Sequence, residues 1–338
     1  MTRLLLPYAL VVIAPALALV LAAPAQVSPT APIGADGWAA DPRHLPDPVS
    51  TPPAAVRDAL AQVGAPEDLV HRYPGVVGNL DGAPFALRYE ANARAMATAG
   101  EAHPGRYLLF DPRGNGHVAQ VYGELDTADR VAVLVPGAGN RLYNFWHGVG
   151  GVAIRSPSRQ AANLYTAAGA PAGLAVVAWL GYDPPRALDA GAAREDLARA
   201  GADALVRFVA GIIALRPHAT VALIGHSYGS TVIGLAAPGL PGQVTDLAVV
   251  ASPGMGVTRA GDLHTTARVW AGLADRDVVR LVPNVRLLGL GHGRAPTDPA
   301  FGARVFAARD VAGHDHYLDV GTDSLRTLAA IASAGGAS

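Results

Sequence analysis

The stretch that decides the fold is residues 221–237, VALIGHSYGSTVIGLAA. Residues 221–224 have the length and apolar composition of a buried strand, and the apolar residues from Thr231 onward begin a helix. Between strand and helix lies the pattern Gly-x-Ser-x-Gly, centred on Ser227, which is weak evidence alone. In this setting it is typical of a nucleophile elbow, a sharp turn that lifts the serine hydroxyl above the sheet. The alternative is an ordinary turn with a serine that caps the helix.

Other short apolar runs alternate with helical segments along the chain. Each run is followed closely by glycine or proline, as expected for parallel strands buried on both faces. The predicted strands are residues 107–110, 117–121, 131–135, 174–179, 221–224, 247–251 and 267–271, with a last strand at 285–290 or 304–307. Helical spacing is present in residues 54–70, 92–99, 194–215 and 231–237. This alternation predicts an α/β domain over residues 106–334, with a mostly parallel central sheet and helices on both faces.

The composition excludes several kinds of chemistry. The chain contains no cysteine, which removes thiol nucleophiles, disulfides and Cys-ligated metals. It also contains no lysine, because all 26 basic residues are arginine, and this removes P-loop and Schiff-base lysines. The net charge is -1 and no segment forms a basic run, so nothing points to a nucleic-acid partner.

The N-terminus has the features of an export signal. Arg3 precedes a nearly unbroken apolar run over residues 4–21, and residues 23–25 form a small-x-small cleavage site. We therefore expect a signal peptide at residues 1–25 and a secreted or envelope-located protein. An uncleaved membrane anchor is the alternative, because the run approaches the length that spans a bilayer. Residues 26–55 are rich in proline and alanine and predict a flexible linker, and residues 56–105 predict a helical accessory region.

A serine nucleophile needs a base, and the base needs an acid that orients it. In a fold of this kind the acid follows a later strand and the histidine comes last. Asp277 and Asp275 both follow the strand at 267–271, and Asp277 is the first choice. His314 and His292 both follow these acids, and His314 is preferred because its spacing leaves room for another strand and a turn.

Two further features complete the predicted site. The backbone amides of Tyr228 and of Ala138 or Gly137 are expected to form an oxyanion hole, because the glycine-rich segment 135–140 follows a strand directly. A phosphate-binding turn is the alternative there, but no lysine completes one. A metal site at His314 and His316 is an alternative, but no third histidine or suitably spaced carboxylate accompanies them, so no metal or other cofactor is predicted.

The chain resembles a largely uncharacterised actinobacterial family of α/β-hydrolase proteins whose domain has no assigned function. The resemblance runs from about residue 80 to residue 331 and rests on the motifs at residues 135–137, 179–185, 225–230, 252–254, 301–303 and Gly313-His314-x-x-Tyr317. It implies a histidine at His314 and an acid at Asp277. Tyr182 and Asp183 follow a strand end, where ligands bind in open α/β sheets, so we expect them to shape the substrate pocket.

Together these features predict a serine hydrolase that acts on a small-molecule or lipid ester through an acyl-enzyme. One alternative is an acyltransferase of the cell envelope with the same triad, and another is a non-catalytic binding protein with this fold. Transient contact with the membrane or envelope is compatible with each of these functions.

The leader can be tested by expression in an actinobacterial host. Because a small-x-small site ends at Ala25, the mature protein should begin near Gln26 and be found in the culture fluid or envelope fraction. N-terminal mass spectrometry measures this. An intact 4–21 segment in the membrane fraction would show an anchor instead.

Overall fold

The computed structural model describes residues 30–186, 195–282 and 291–334. The predicted signal peptide, residues 1–25, lies outside the described residues. Residues 285–290, the first alternative for the last strand, lie outside them as well. The second alternative, residues 304–307, coincides with an observed strand at Arg304–Phe306.

The described residues contain one sheet in which strands pair in the order β1-β2-β4-β3-β5-β6-β7-β8. The strands are β1 (Arg106–Asp111), β2 (His117–Tyr122), β3 (Arg130–Val135), β4 (Leu174–Leu180), β5 (Thr220–His226), β6 (Val244–Val250), β7 (Arg268–Gly272) and β8 (Arg304–Phe306). Strand β2 is antiparallel to both of its neighbours, and all other neighbouring pairs are parallel. The predicted mostly parallel sheet is confirmed.

Helices cover both faces of this sheet. They are α1 (Ala35–Ala39), α2 (Pro53–Ala61), α3 (Pro66–Arg72), α4 (Pro74–Val77), α5 (Phe85–Ala99), α6 (Pro157–Ala167), α7 (Asp196–Leu215), α8 (Gly229–Ala236) and α9 (Asp323–Ser333). Helices α6 and α9 were not predicted, although each has a start signal: the side chains of Ser156 and Thr322 accept hydrogen bonds from the first turn. Within the described ranges, no helix has the length and apolar character to cross a membrane.

The central strands are largely apolar because both of their faces are buried. In β3, Val131, Val133 and Val135 belong to the core beneath α7 and α8. Ala132 and Leu134 alternate with them and belong to the core beneath α6 and α9. Burial of a valine or leucine side chain stabilises a fold by about 1.5–3 kcal/mol, so these continuous runs select a sheet with two covered faces.

The N-terminal segment packs against the domain, and the prediction of a flexible linker is wrong for residues 30–55. Trp38 is fully buried, its indole N–H donates to Pro46 O at 2.8 Å, and its ring lies edge-on to Tyr73 at 5.7 Å. Together with apolar side chains of the four helices α2, α3, α4 and α5, these rings form a third apolar cluster. The overall composition of this segment is rich in proline and does not reveal the packing. One tryptophan is enough to anchor it, because a single aromatic side chain can bury about 150–250 Å².

Replacing this anchor tests whether the N-terminal segment stabilises the protein. Trp38→Ala should lower the free energy of unfolding by about 3–5 kcal/mol, because it leaves a large cavity among buried side chains. Tyr143→Ala, at a side chain that is 75% exposed, is the control and should change it by less than about 0.5 kcal/mol. Urea denaturation measures both free energies of unfolding. An unchanged midpoint for Trp38→Ala would favour the prediction of a flexible linker.

Candidate active site

Ser227 lies in a sharp turn between β5, which ends at His226, and α8, which begins at Gly229. Its φ angle is 53°, a left-handed conformation that is unfavourable for a residue with a side chain. Ser227 N donates to Val250 O on β6 at 3.0 Å, and the Ser230 hydroxyl donates to Ser227 O. These bonds hold the strained residue in place, so the predicted elbow is present.

Glycines surround the elbow because three main-chain segments meet there. A Cβ atom at Gly229 would lie 2.3 Å from Val135 O, and one at Gly225 would lie 2.9 Å from the main chain of Ser230. A Cβ atom at Gly137 would lie 2.7 Å from Ser227 Cβ. A side chain at Gly229 or Gly137 would push the elbow away from the loop after β3, and one at Gly225 would push α8 away from β5.

The structure brings Ser227, His314 and Asp277 together. His314 Nε2 lies 3.0 Å from Ser227 Oγ, and His314 Nδ1 lies 2.8 Å from Asp277 Oδ1. An ionised carboxylate only accepts hydrogen bonds, so Nδ1 carries the proton and Nε2 is left to accept from the serine hydroxyl. These three side chains come from the ends of β5 and β7 and from the loop that follows β8.

The carboxylate of Asp277 is held by three donors. Besides His314, the Tyr317 hydroxyl donates to Oδ2 at 2.7 Å and the amide of Val279 donates to Oδ1 at 2.8 Å. Burial raises the pKa of this carboxyl, but the hydrogen bonds and the neighbouring imidazole outweigh it and lower the pKa below its ordinary value. Asp277 is therefore ionised at neutral pH. Tyr317 was noticed only as part of a motif, and its position three residues after His314 was the signal of this role.

The other candidate acids and bases have different partners. The Asp275 side chain is 91% exposed and pairs with Arg280 at 2.9 Å. His316 Nδ1 lies 2.6 Å from Asp319 Oδ2. His292 is buried, with Nδ1 3.2 Å from the hydroxyl of Thr231.

His226 links the strand that carries Ser227 to the loop that carries His314. Its Nε2 donates to the main-chain oxygen of His314 at 2.7 Å, and the two rings lie 5.0 Å apart. Burial is the main cause that lowers the pKa of the His226 imidazole to about 4, with a further contribution from His314. His226 is therefore neutral near pH 7 and carries its proton on Nε2. Sequence analysis missed this link because it joins residues 88 positions apart in the chain.

The loop after β3 is held by two carboxamides that sequence analysis did not single out. Asn140 Nδ2 donates to Gly137 O at 2.9 Å, and Asn144 Nδ2 donates to Gly139 O at 2.9 Å. The carbonyl groups of this loop are thus directed toward the asparagines. In a trans peptide the next N–H points the opposite way, so the Ala138 amide is directed away from Asn140. An asparagine directly after a glycine-rich turn was the available signal.

Tyr182 and Asp183 do not line the cavity around Ser227, which corrects the prediction that they shape the pocket. Tyr182 is buried and its hydroxyl donates to Pro136 O at 2.6 Å. Asp183 accepts from Asn115 Nδ2 at 2.9 Å. Tyr182 supports the loop after β3 and Asp183 supports the turn between β1 and β2, because a phenol and a carboxylate that are buried at a strand end need polar partners.

A cavity of about 530 Å³ opens above Ser227. Its wall includes Ala138, Gly139 and Asn140 from the loop after β3 and residues 312–316 around His314. No group of three or more metal-ligating side chains converges within the described ranges. The arrangement provides a hydroxyl, a base paired with a buried acid, and main-chain amides at one end of an open cavity.

The neutral state of His226 predicts a pH-dependent stability. Its pKa is about 4 in the folded protein and 6.5 in the unfolded chain, so between these values the unfolded chain binds the extra proton. This contribution is present above pH 6.5 and is lost as the pH falls toward 4. Between pH 7 and pH 5 the wild type should lose about 2 kcal/mol more unfolding free energy than His226→Gln, which does not titrate. Urea denaturation at both pH values measures this, and equal losses would contradict it.

Comparison with known proteins identifies the family of this chain and several of its relatives. The profile of a family described as alpha/beta hydrolase matches residues 111–287. An uncharacterized protein of Mycobacterium tuberculosis is 30% identical over 269 residues, which cover 69% of this chain and 40% of the relative. The chain thus spans less than half the length of that relative. An uncharacterized protein of Mycobacterium bovis is 34% identical over 237 residues, which cover 66% of this chain and 80% of the relative.

Among solved structures, an α/β serine hydrolase without lid from Xanthomonas campestris is 17% identical with a TM-score of 0.41, covering 68% of this chain and 94% of its own. A dienelactone hydrolase from Anabaena variabilis is 16% identical with a TM-score of 0.39, covering 68% and 96%. The family profile spans 177 of 338 residues, from 111 to 287, and the sheet has the predicted mostly parallel form. The chain belongs to the alpha/beta hydrolase family.

Proposed function

We propose that the protein is a serine hydrolase that cleaves carboxylic esters through an acyl-enzyme. The observation that carries this proposal is the hydrogen-bonded chain from Ser227 Oγ through His314 to Asp277, with distances of 3.0 Å and 2.8 Å. Ser227 and His314 line an open cavity, and Ser227 lies on a strained turn, which is where a reactive serine is expected.

The proposed reaction uses each member of this chain in turn. Ser227 Oγ attacks the ester carbonyl while His314 Nε2 accepts the hydroxyl proton. Asp277 stabilises the imidazolium that forms, because its carboxylate stays ionised next to it. The tetrahedral intermediate collapses when His314 returns the proton to the leaving alcohol. Water then attacks the acyl-enzyme with His314 as base, which releases the acid and regenerates Ser227.

Two amides are proposed to bind the oxyanion. The Tyr228 amide lies at the N-terminal end of α8, where the helix dipole favours negative charge. Ala138 is preferred to Gly137 as the second donor, because Ala138 lines the cavity and its N–H is directed away from Asn140. The carboxamides of Asn140 and Asn144 hold this loop before substrate arrives, so no reorganisation is needed during the reaction.

Export remains part of the proposal, on the strength of the N-terminal sequence. An acyltransferase would form the same acyl-enzyme and pass the acyl group to an alcohol rather than to water, and product analysis with added alcohols distinguishes the two. A binding protein would form no acyl-enzyme at all.

Removal of the nucleophile is the first test of this function. Ser227→Ala should abolish labelling by a fluorophosphonate probe and ester turnover, because the variant lacks the hydroxyl that donates to His314 Nε2. Its melting temperature should not fall, since the hydroxyl adds little to the core. Ser158→Ala is a control at a buried serine whose hydroxyl donates to Gln120 away from the cavity, and it should still be labelled. Labelling of Ser227→Ala would identify another nucleophile, and an unlabelled wild type would favour a binding protein.

Paired variants test the acid and the base. Asp277→Asn and His314→Ala should each lower kcat by about 10³-fold or more, because the serine then keeps its proton. Asp275→Asn and His316→Ala are the matched controls and should stay within about tenfold, since their side chains pair with Arg280 and Asp319. Steady-state kinetics with a 4-nitrophenyl ester measures these effects. A dead His292→Ala variant with an active His314→Ala variant would show that the base is wrongly assigned.

A further inference from the structure

The wall of the cavity above Ser227 carries an excess of positive charge. Arg155, Arg186 and Arg276 line it, against a single lining carboxylate among the described residues, Asp315. The whole chain has a net charge of -1, so this excess is local and does not follow from the composition. Three arginines from separate segments therefore line one opening.

The carboxylates around Arg276 are already engaged. Asp275 pairs with Arg280 at 2.9 Å, and Asp277 is held by His314, Tyr317 and an amide. Asp315 pairs with Arg155 at 2.8 Å. The guanidinium of Arg276 makes no hydrogen bond or ion pair with the residues that the structure describes. It is thus an exposed cation on the cavity wall, next in sequence to the acid of the triad.

Arg155 can supply a second contact on the same wall. Its Nε donates to Asp315 Oδ2, which orients the guanidinium, and its two terminal nitrogens make no hydrogen bond with the described part of the chain. Asp315 directly follows His314, so this pair lies beside the base. Val149, Val278 and Ala312 also line the cavity and provide apolar surface between the charged groups.

We propose that the substrate is an ester that carries an anionic group, a carboxylate or a phosphate, on its acyl or its alcohol part, and that Arg276 and Arg155 bind this group. This inference rests on the proposed function and adds the substrate class. A guanidinium matches the planar geometry of a carboxylate or the face of a phosphate and binds either with paired hydrogen bonds. Because the arginines are exposed, dissolved salt will weaken the attraction.

The test compares anionic and neutral esters of the same length. Mono-4-nitrophenyl glutarate carries a terminal carboxylate on its acyl part, and 4-nitrophenyl pentanoate is its neutral counterpart. For the alcohol part, 4-acetoxybenzoate is compared with its methyl ester, and 4-acetoxyphenyl phosphate serves as the phosphate-bearing probe. For each protein, kcat/KM for the anionic ester is divided by kcat/KM for its neutral counterpart. The ratio of each variant is then compared with the wild-type ratio, so that the intrinsic reactivity of the two esters cancels.

Arg276→Gln should lower this ratio about tenfold for the preferred anionic ester, whereas Arg276→Lys, which keeps the charge, should stay within about threefold. Arg259→Gln is the control: it makes the same change in net charge at a side chain that is 72% exposed and off the cavity wall, and it should leave the ratio unchanged. The wild-type ratio should also fall as salt is raised from 20 mM to 500 mM. If Arg276→Gln only disturbed the neighbouring Asp277, kcat/KM would fall equally for both esters. An anionic-to-neutral ratio that is unchanged in Arg276→Gln overturns the proposal.

Calorimetry separates this inference from the proposed function. Glutarate should bind the wild type at low salt and bind Arg276→Gln at least about fivefold more weakly, whether or not any ester is cleaved. If neither ester is cleaved but glutarate binds through Arg276, the hydrolase function fails and the anion site stands. If neutral esters are cleaved and glutarate binds both proteins equally or not at all, the function stands and the anion site is refuted.

Discussion

The site depends on one backbone constraint, the left-handed conformation of Ser227 between β5 and α8. Such a conformation costs about 1–3 kcal/mol and persists only where the surroundings impose it. Here the Ser227 amide is bonded to β6 and its carbonyl to Ser230. Gly229 and Gly137 leave room for the loop after β3, and Gly225 leaves room for the start of α8. The strain is therefore opposed by the packing of the central sheet, which is the most deeply buried part of the molecule.

The other parts of the site are held by polar contacts that connect the ends of separate strands. His226 bonds to the main chain of His314, Tyr317 bonds to Asp277, and Asn140 bonds to the loop after β3. Tyr182 joins this set from β4 through Pro136. None of these contacts adds a reactive group. Together they hold the hydroxyl, the imidazole and the loop amides in fixed positions, as electrostatic preorganisation requires.

Charge is distributed unevenly around this arrangement. Inside the site, Asp277 is buried and satisfied by three donors, and His226 is kept neutral by burial. At the cavity wall, the arginines are exposed and Arg276 has no partner among the described residues. The buried groups around Ser227 are therefore paired or neutral, while the positive charge lies at the rim of the cavity.

The sequence by itself determined the alternation of strands and helices along the chain and the turn at Ser227, because local periodicity and short motifs carry that information. It favoured Asp277 over Asp275 and His314 over His292 without deciding between them. It did not determine the packing of residues 30–55 around Trp38, the inward orientation of Tyr182 and Asp183, or the link from His226 to His314. Only the tertiary structure decided these features. Each depends on a contact between residues that are distant in the chain or on the direction in which a strand-end side chain turns, and neither is encoded in local spacing.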